Sequence, residues 1–291
     1  MKKRIQRIDL HMHSAVSDGT DQPEQLPEKV RNAGIDLFAL TDHDTAAGYG
    51  RIRKVRRPED PEVLSGVEFS CRDEIGKYHI LGYGFDPDSD PIRHLVETGH
   101  SYRMKKAQAR LDFLEDRFGF AFPEEEIRLL LSLSNPGKPH IGNLMVKYGY
   151  VENKEKAIRE YINQVSFRTE YIRPEQAIQG ILQGGGVPVL AHPVFGSGEE
   201  LIIGEELEQR LKRLMGFGLQ GVEAFYSGFS PKLRMQVLFF ADKHRLYATA
   251  GSDYHGKNKL VEIGDTKLDR AMMVPAVRRF LERVLEKEAQ G

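Results

Sequence analysis

Rhythm constrains this chain more than any other feature of its sequence. Seven apolar runs of strand length stand out: Ile5–His11, Ile35–Thr41, Val63–Phe69, Tyr78–Phe85, Val187–Ala191, Gly221–Tyr226 and Leu246–Ala250. Helix-length amphipathic segments lie between them. Pro23–Ala33 reads as a helix, with Leu26 and Val30 one turn apart and Gly34 placed to end it. Further helices are expected at Glu175–Gln183, Glu199–Met215, Pro231–His244 and Arg270–Glu288. Such alternation implies an α/β domain on a parallel sheet, open or closed. The rhythm breaks once. From Pro91 to Pro174 no strand pattern occurs, and Pro91–Phe118, Pro123–Leu131, Pro139–Tyr148 and Lys154–Gln164 read as successive helices. Residues 91–170 are thus expected to be an all-helical insertion of about 80 residues, the size of a small domain, within a unit made of 1–90 and 171–291.

Charge and composition exclude several classes. Lys and Arg number 42 against 43 Asp and Glu, a formal charge of −1, and hydrophobic residues make up 40%. That is no disordered or collagenous chain, and bulk charge does not hold it on nucleic acid or anionic lipid. Cys71 is the only cysteine, so no intramolecular disulfide forms and a reducing compartment is expected. The basic start Met1-Lys2-Lys3-Arg4 is followed by Asp9, His11 and His13 rather than by an apolar run. No stretch approaches the roughly 18 apolar residues of a membrane span. A soluble cytoplasmic protein is expected, with no obligate protein partner evident.

The positions of the histidines carry the chemistry. His11 and His13 lie two apart at the end of the first run, so period-two geometry puts both on one face. Asp18 follows in a Ser-Asp-Gly turn. The second run ends in Thr41-Asp42-His43-Asp44, and the third carries Glu68 among apolar residues. A buried carboxylate is costly unless it is paired or bound to a cation. His79 lies in the fourth run, Ala191-His192-Pro193 ends the fifth, and Gly251-Ser252-Asp253-Tyr254-His255 ends the seventh. Any one of these reads equally well as a packed histidine or an Asx turn. Together they place ligating groups at or near most strand ends, the face on which parallel β/α barrels open their active sites. Imidazoles and carboxylates without a cysteine set describe divalent Mn, Zn or Fe. Nine such groups exceed the need of one ion, so two or three ions close together are expected. Glu68 suits a bridging place, with one oxygen for each ion. Paired ions suit phosphoester hydrolysis, since they yield a bridging hydroxide at neutral pH and clamp the attacking and leaving oxygens.

Asp9-Leu10-His11-Met12-His13, Thr41-Asp42-His43-Asp44, Gly66-Val67-Glu68-Phe69, Ala191-His192-Pro193 and Ser252-Asp253-Tyr254-His255 resemble the signature motifs of the PHP family, named for polymerase and histidinol phosphatase. The resemblance implies a distorted seven-stranded β/α barrel. It implies a ligand set as well: His11, His13, Glu68 and Asp253 for a first metal, Glu68, His79 and His192 for a second, Asp18, His43 and His255 for a third. Asp253 is in addition the candidate proton acceptor.

The place of the insertion, and its Gly137-Lys138-Pro139-His140-Ile141-Gly142 segment, resemble the branch of small PHP phosphoesterases that act on nucleotides. That likeness implies a metal-dependent phosphoesterase on a phosphomonoester of a nucleotide or short oligonucleotide, such as a 3′,5′-bisphosphonucleotide. Arg103, Lys106, Lys138 and His140 are the candidate phosphate contacts, in an insertion lying over the metal mouth. Lys106 stands where the branch usually has arginine, a weaker bidentate clamp. Three alternatives stand beside this reading: a 5′–3′ exonuclease on short RNA, a histidinol-phosphate phosphatase, and a non-catalytic metal-stabilised binding module. Among the remaining polar groups, Glu223 is expected beside the site or at the core rim. Of Asp42 and Asp44, one is expected to orient an imidazole and the other to cap the next helix. Cys71 is expected to be a packed bystander.

Overall fold

The computed structural model describes residues 5–195, 201–269 and 273–288. The basic start of the chain, Glu199 and Arg270 lie outside these. Among the described residues the order is β1 (Ile8–Asp9), α1 (Leu26–Asn32), β2 (Leu37–Ala39), α2 (Ala47–Val55), β3 (Glu62–Leu64), β4 (Gly66–Arg72), β5 (Lys77–Tyr83), α3 (Asp90–Phe118), α4 (Glu124–Leu131), α5 (Lys138–Lys147), α6 (Lys154–Lys156), α7 (Pro174–Gln183), β6 (Val187–Leu190), α8 (Gly204–Gly216), β7 (Gly221–Tyr226), α9 (Pro231–Lys243), β8 (Tyr247–Gly251) and α10 (Pro275–Glu288). The expected helix Lys154–Gln164 is α6 continued by a π turn and a 3-10 turn.

The fold is mixed α/β, with eight strands in two sheets among the described residues where seven were expected. One sheet is β1-β2-β3, all parallel; the other is β4-β5-β6-β7-β8. The run Val63–Phe69 divides at Ser65. Leu64 still pairs with Ala39, while Gly66 already pairs with Tyr83 in the other sheet. Gly66 passes the Leu40 carbonyl so closely that a Cβ would lie 2.5 Å from its oxygen, and Ser65 Oγ donates to Phe85 O at 2.6 Å. These contacts turn the chain from one sheet into the next.

The sheet is also not uniformly parallel, because β5 runs antiparallel to both β4 and β6. Only Asp73–Gly76 separates β4 from β5, and a parallel crossover needs a dozen residues or more. Asp73 Oδ1 accepts from Ile75 N at 2.9 Å and Gly76 N at 3.1 Å, tightening that turn. The β6-β7-β8 ladder is parallel, joined through α8 and α9. Backbone bonds join the sheets at both seams. Leu10 N donates to Ala250 O at 2.9 Å and Asp253 N to His11 O at 2.8 Å; Asp44 N donates to Glu68 O at 2.9 Å. The segments after β1, β2 and β8 are thereby drawn together on the side where the strands end.

Among the described residues three apolar cores serve the chain, the smallest of them formed by Met12, Leu26, Val30, Phe38 and Ile52 around the smaller sheet. Leu10, Phe69, Leu81, Tyr83, Val189 and Phe225 belong to the core of the larger sheet. Each such fully buried side chain contributes about 1.5–3 kcal/mol. Leu111, Leu114, Ile141, Met145 and Ile162 form a separate helical core. The long helix α3 serves both. Its first turns, Ile92 and Leu95, pack on the sheet core, and its later turns, from Ala107, build the helical one. One rigid rod thus fixes the helical segment over the strand ends.

Candidate metal centre

His11 and His13 leave β1 on one face, as period two requires. Their Nε2 atoms stand 3.2 Å apart. Glu68 Oε2 lies 3.4 Å from His11 Nε2 and 3.2 Å from His13 Nε2, and Asp253 Oδ1 lies 3.5 and 3.4 Å from the same two atoms. Four donor atoms converge. A tetrahedral ion with bonds of about 2.0–2.1 Å would hold its ligands roughly 3.3 Å apart. The other oxygen of Glu68 faces a second group: Oε1 is 2.9 Å from His79 Nδ1 and 3.3 Å from His192 Nε2, and those nitrogens are 3.3 Å apart. A third group centres on Asp18, 3.3 Å from His255 Nε2, 3.6 Å from His13 Nδ1 and 3.8 Å from His43 Nε2. His43 joins two groups, since its Nδ1 lies 3.1 Å from Glu68 Oε2. All nine expected ligands thus lie in one continuous cluster. His13 and His43 each reach two of its three parts, an overlap the motifs do not reveal.

The donor set fits cations. His255 Nδ1 is 2.9 Å from the Asp253 carbonyl, which fixes a proton on that nitrogen. Its Nε2 is thereby turned toward the Asp18 carboxylate, 3.3 Å away, so a ring nitrogen and a carboxylate oxygen converge there. Electrostatics agree. Burial pushes the Glu68 carboxyl up, but His79, His11 and His43 hold it well below its usual range. Asp18 and Asp253 are likewise held low against burial, by His43 and His255 in one case and by His11, His13 and Lys259 in the other. Burial also keeps His43 well below the usual histidine range, although Glu68 and Asp18 pull it upward. The same carboxylates, against burial, raise His11 well above the usual histidine range and His13 to about 9, so metal binding there would displace protons from these two rings.

Buried carboxylates hold this cluster in place. Glu223, wholly buried on β7, accepts from His11 at 2.9 Å through Oε1 and from His192 N at 2.8 Å through Oε2. It therefore turns the His11 Nε2 lone pair into the cluster and sets the loop that carries His192. The sequence places Glu223 beside the site or at the core rim, as found, but its double role depends on strands far apart in the chain. Asp9 accepts from Ser252 N at 2.9 Å and Gly264 N at 2.7 Å, and burial lifts its carboxyl to about 6. Asp42 holds the turn after His13, accepting from Ser14 N at 2.8 Å and from Ser17 Oγ at 2.6 Å. Asp44 accepts from Ser70 N at 2.8 Å and from Arg103 Nε at 2.5 Å. Asp42 reaches an imidazole only through Ser17, whose Oγ lies 3.5 Å from His13 Nδ1, and neither aspartate caps α2, which has no side-chain cap. Asn135, also unforeseen, donates to the His43 carbonyl and ties the helical segment to the centre.

Backbone strain gathers here too. Asp44, His192 and Asp253 have φ of 54°, 27° and 59°, a region that residues other than glycine rarely enter. Gly251 makes room for the centre, since a Cβ there would lie 2.2 Å from His11 Cβ and 2.5 Å from Glu223 Oε1.

A cavity of about 350 Å³ opens from the cluster, bounded by His43, His79 and His192 on one side and by Arg103, Lys106, Lys138 and Tyr171 on the other. Its volume is that of a small-molecule site. Three of the four expected phosphate contacts therefore face it. His140 is not in its wall; His140 Nδ1 accepts from Gly137 N at 3.0 Å, bracing the corner that carries Lys138. Cys71 is buried in the wall with its thiol toward the Phe69 carbonyl, at 3.5 Å.

The PHP domain family model matches residues 9–170, more than half of the chain, and that span contains six of the nine clustered residues. The chain belongs to the PHP domain family. Its relatives include a 5′-3′ exoribonuclease of Haemophilus influenzae, 27% identical over 89% of this chain and 93% of that one. They also include a 3′,5′-nucleoside bisphosphate phosphatase of Chromobacterium violaceum, 26% identical over 96% of each chain. Among solved structures, a C. violaceum amidohydrolase determined with bound sulfate and no metal superimposes with a TM-score of 0.82 at 25% identity, covering 98% of this chain and 100% of that one. In this PHP protein, His192, Asp253 and His255 lie beyond the family match yet complete the cluster in space. Among its described residues no helix is long and apolar enough to cross a membrane.

Proposed function

We propose that this PHP protein is a divalent-metal-dependent phosphoesterase acting on a phosphomonoester of a nucleotide or short oligonucleotide, with a 3′,5′-bisphosphonucleotide as the favoured substrate. The observation that carries the reading is the position of Glu68, whose two oxygens face two separate donor groups at the floor of a cavity with basic walls. His11, His13, Glu68 and Asp253 would hold a first ion, Glu68, His79 and His192 a second, and Asp18, His43 and His255 a third. Mn, Zn or Fe bound there would supply a Lewis acid for the phosphoryl oxygens and acidify an attacking water.

The chain's own residues do the rest. Arg103 stands at the mouth, its guanidinium oriented by Asp44 and by Ser70 Oγ at 2.8 Å, ready to meet a phosphate in bidentate fashion. Lys106 and Lys138 add charge along the wall, and His140 positions the Lys138 corner. Asp253 serves as a ligand rather than as a proton acceptor. Its Oδ1 faces the histidines, while Oδ2 accepts from Tyr226 Oη at 2.9 Å and from Lys259 Nζ, so neither oxygen is left for a transferred proton. Residues 91–170 cap the centre and choose the substrate. Residues 1–90 and 171–291 form a closed, barrel-like wall through the two seams. The named activities of the relatives favour a nucleotide substrate over histidinol phosphate, and the complete ligand set disfavours a purely binding module.

The experiment is turnover by metal-reconstituted protein of a nucleoside 3′,5′-bisphosphate, a 5′-phosphorylated short RNA and histidinol phosphate. The reading expects the bisphosphate to be hydrolysed with the highest kcat/KM. Preference for histidinol phosphate, or no turnover with metals bound, would overturn it.

A further inference from the structure

The third ligand group differs from the other two in how it is held. Asp18 is carried by a turn, closed where Gly19 N donates to Ser14 O at 2.9 Å. No strand ladder fixes it. Asn258 Nδ2 donates to the Asp18 carbonyl at 2.8 Å, across 240 positions of the chain. Lys257 N donates to Thr20 Oγ1 of the same turn at 2.9 Å. Gly256 lets the two segments come this close, since its φ is 62° and a Cβ there would lie 2.1 Å from Thr20 Oγ1. The short loop after His255 thus grips the turn that carries Asp18.

The helical segment reaches the same loop. Lys154 Nζ donates to Asn258 Oδ1 at 2.7 Å, so a single amide is held at both its ends. The Lys154 stem passes over Gly142 of α5, where a Cβ would lie 3.1 Å from its Cγ. Glu155 is 3.9 Å from Lys154 Nζ, so Asn258 is the nearer partner. Two further side chains of the segment land close by, from the other end of α5. Ser134 Oγ donates to Val16 O at 2.9 Å, two residues before Asp18, and Asn135 Nδ2 donates to the carbonyl of His43. Among the described residues no hydrogen bond joins residues 91–170 to His11, Glu68, His79, His192 or Asp253. The segment therefore braces the third group and leaves the other two to the sheets. A ligand on a turn sits only as firmly as the groups that grip the turn.

We propose that Asn258 is a positioning residue that seats Asp18 for the third ion, and that through Lys154 it couples binding at the third group to docking of the helical segment. The inference rests on the metal reading above and deepens it: the two groups that face Glu68 form without the segment, and the third is completed by it. Coupling between two sites is reciprocal, so docking of the segment and binding at the third group strengthen each other by the same factor.

The test is chelator competition on metal-reconstituted protein with the bound ions counted, the release step missing in Asp18→Ala marking the third group. Asn258→Ala should give up the third ion at a chelator strength about tenfold weaker than the wild type needs, with the other ions held within about twofold. Asn258→Asp keeps an acceptor for Lys154 but sets an oxygen against the Asp18 carbonyl, and should behave in the same way. Lys154→Met keeps the stem over Gly142 and removes only the outer anchor of the amide. It should weaken the third ion about threefold to tenfold, and it carries the test alone if the Asn258 variants do not fold. Hydrogen exchange supplies a readout free of turnover: filling the third group should slow the backbone amides of α5 and α6 in the wild type, and less so in Lys154→Met. Third-ion affinity unmoved in these variants, an equal loss at every ion, or a wild type that binds no third ion would overturn the proposal. Each of those results leaves the phosphoesterase standing on the two groups that face Glu68. No turnover of any phosphoester, with selective loss of the third ion still seen, would overturn the parent reading and keep this one.

Discussion

Replacing Glu223 by Gln tests how the centre is held. Glu223 is wholly buried. It satisfies two donors at once, the His11 ring at 2.9 Å and the His192 backbone N–H at 2.8 Å. A glutamine keeps one acceptor oxygen and turns the other position into a donor. One of the two N–H groups must then face an NH2. The loss is a hydrogen bond to a charged acceptor, about 1.5–3 kcal/mol, or roughly 10- to 150-fold in an equilibrium constant. The effect falls on metal affinity, because His11 can offer its Nε2 lone pair only while Nδ1–H is anchored. The assay is competition against chelators of graded strength, with bound ions counted by elemental analysis. Glu223→Gln should release its first ion at a chelator strength at least about tenfold weaker than the wild type needs. Release within twofold of the wild type would refute the claim that Glu223 orients the ligands.

Other expectations follow from the same geometry. Glu68→Ala should empty more than one metal position, because its two oxygens face His79 and His192 on one side and His11, His13 and His43 on the other; loss of a single equivalent by elemental analysis would deny the bridging role. Gly251→Ala should lower stability by about 1–3 kcal/mol through overpacking and reduce metal content, read by denaturant unfolding and metal analysis. Lys106 has its folded pKa brought down to about 7 by burial and by Arg103, so it is charged below that pH and loses its proton as pH rises through it. KM for a bisphosphorylated nucleotide should therefore rise between pH 6 and pH 8, and Lys106→Arg should flatten that rise; an unchanged profile in Lys106→Arg would assign the titration elsewhere. The same lowered value means that the unfolded chain binds the Lys106 proton more readily. The contribution of this group to stability should therefore increase with pH from about 7 to the ordinary lysine range, a slope in denaturant midpoints that Lys106→Met should remove.

The sequence exposes the centre far better than the wall around it. His11, His13, Glu68, His192 and Asp253 are legible because a strand of period two ends in them, and apolar runs rarely carry such groups without a purpose. The helical segment is legible because α3, α4 and α5 keep their own apolar stripe, which closes on Leu111, Ile141 and Met145. The break at Ser65 is not, because it depends on the close pass of Gly66 by the Leu40 carbonyl, a contact 26 residues apart that no local pattern carries. The β4–β5 hairpin left a weaker trace: the few residues between those runs are too short for a parallel crossover. Glu223 stands beside the site as expected, but its partners, and the roles of Asp44 and Asn135, are not legible. Their partners, His11, Arg103 and His43, lie 212, 59 and 92 positions away, so their roles exist only once the sheets and α3 are in place.

The most direct test of the account is anomalous diffraction from crystals of metal-reconstituted protein, collected at the absorption edge of the bound ion. The account predicts at least two peaks: one among His11, His13, Glu68 and Asp253, and one among Glu68, His79 and His192, with any third beside Asp18, His43 and His255. A single peak, or density away from both oxygens of Glu68, would contradict it.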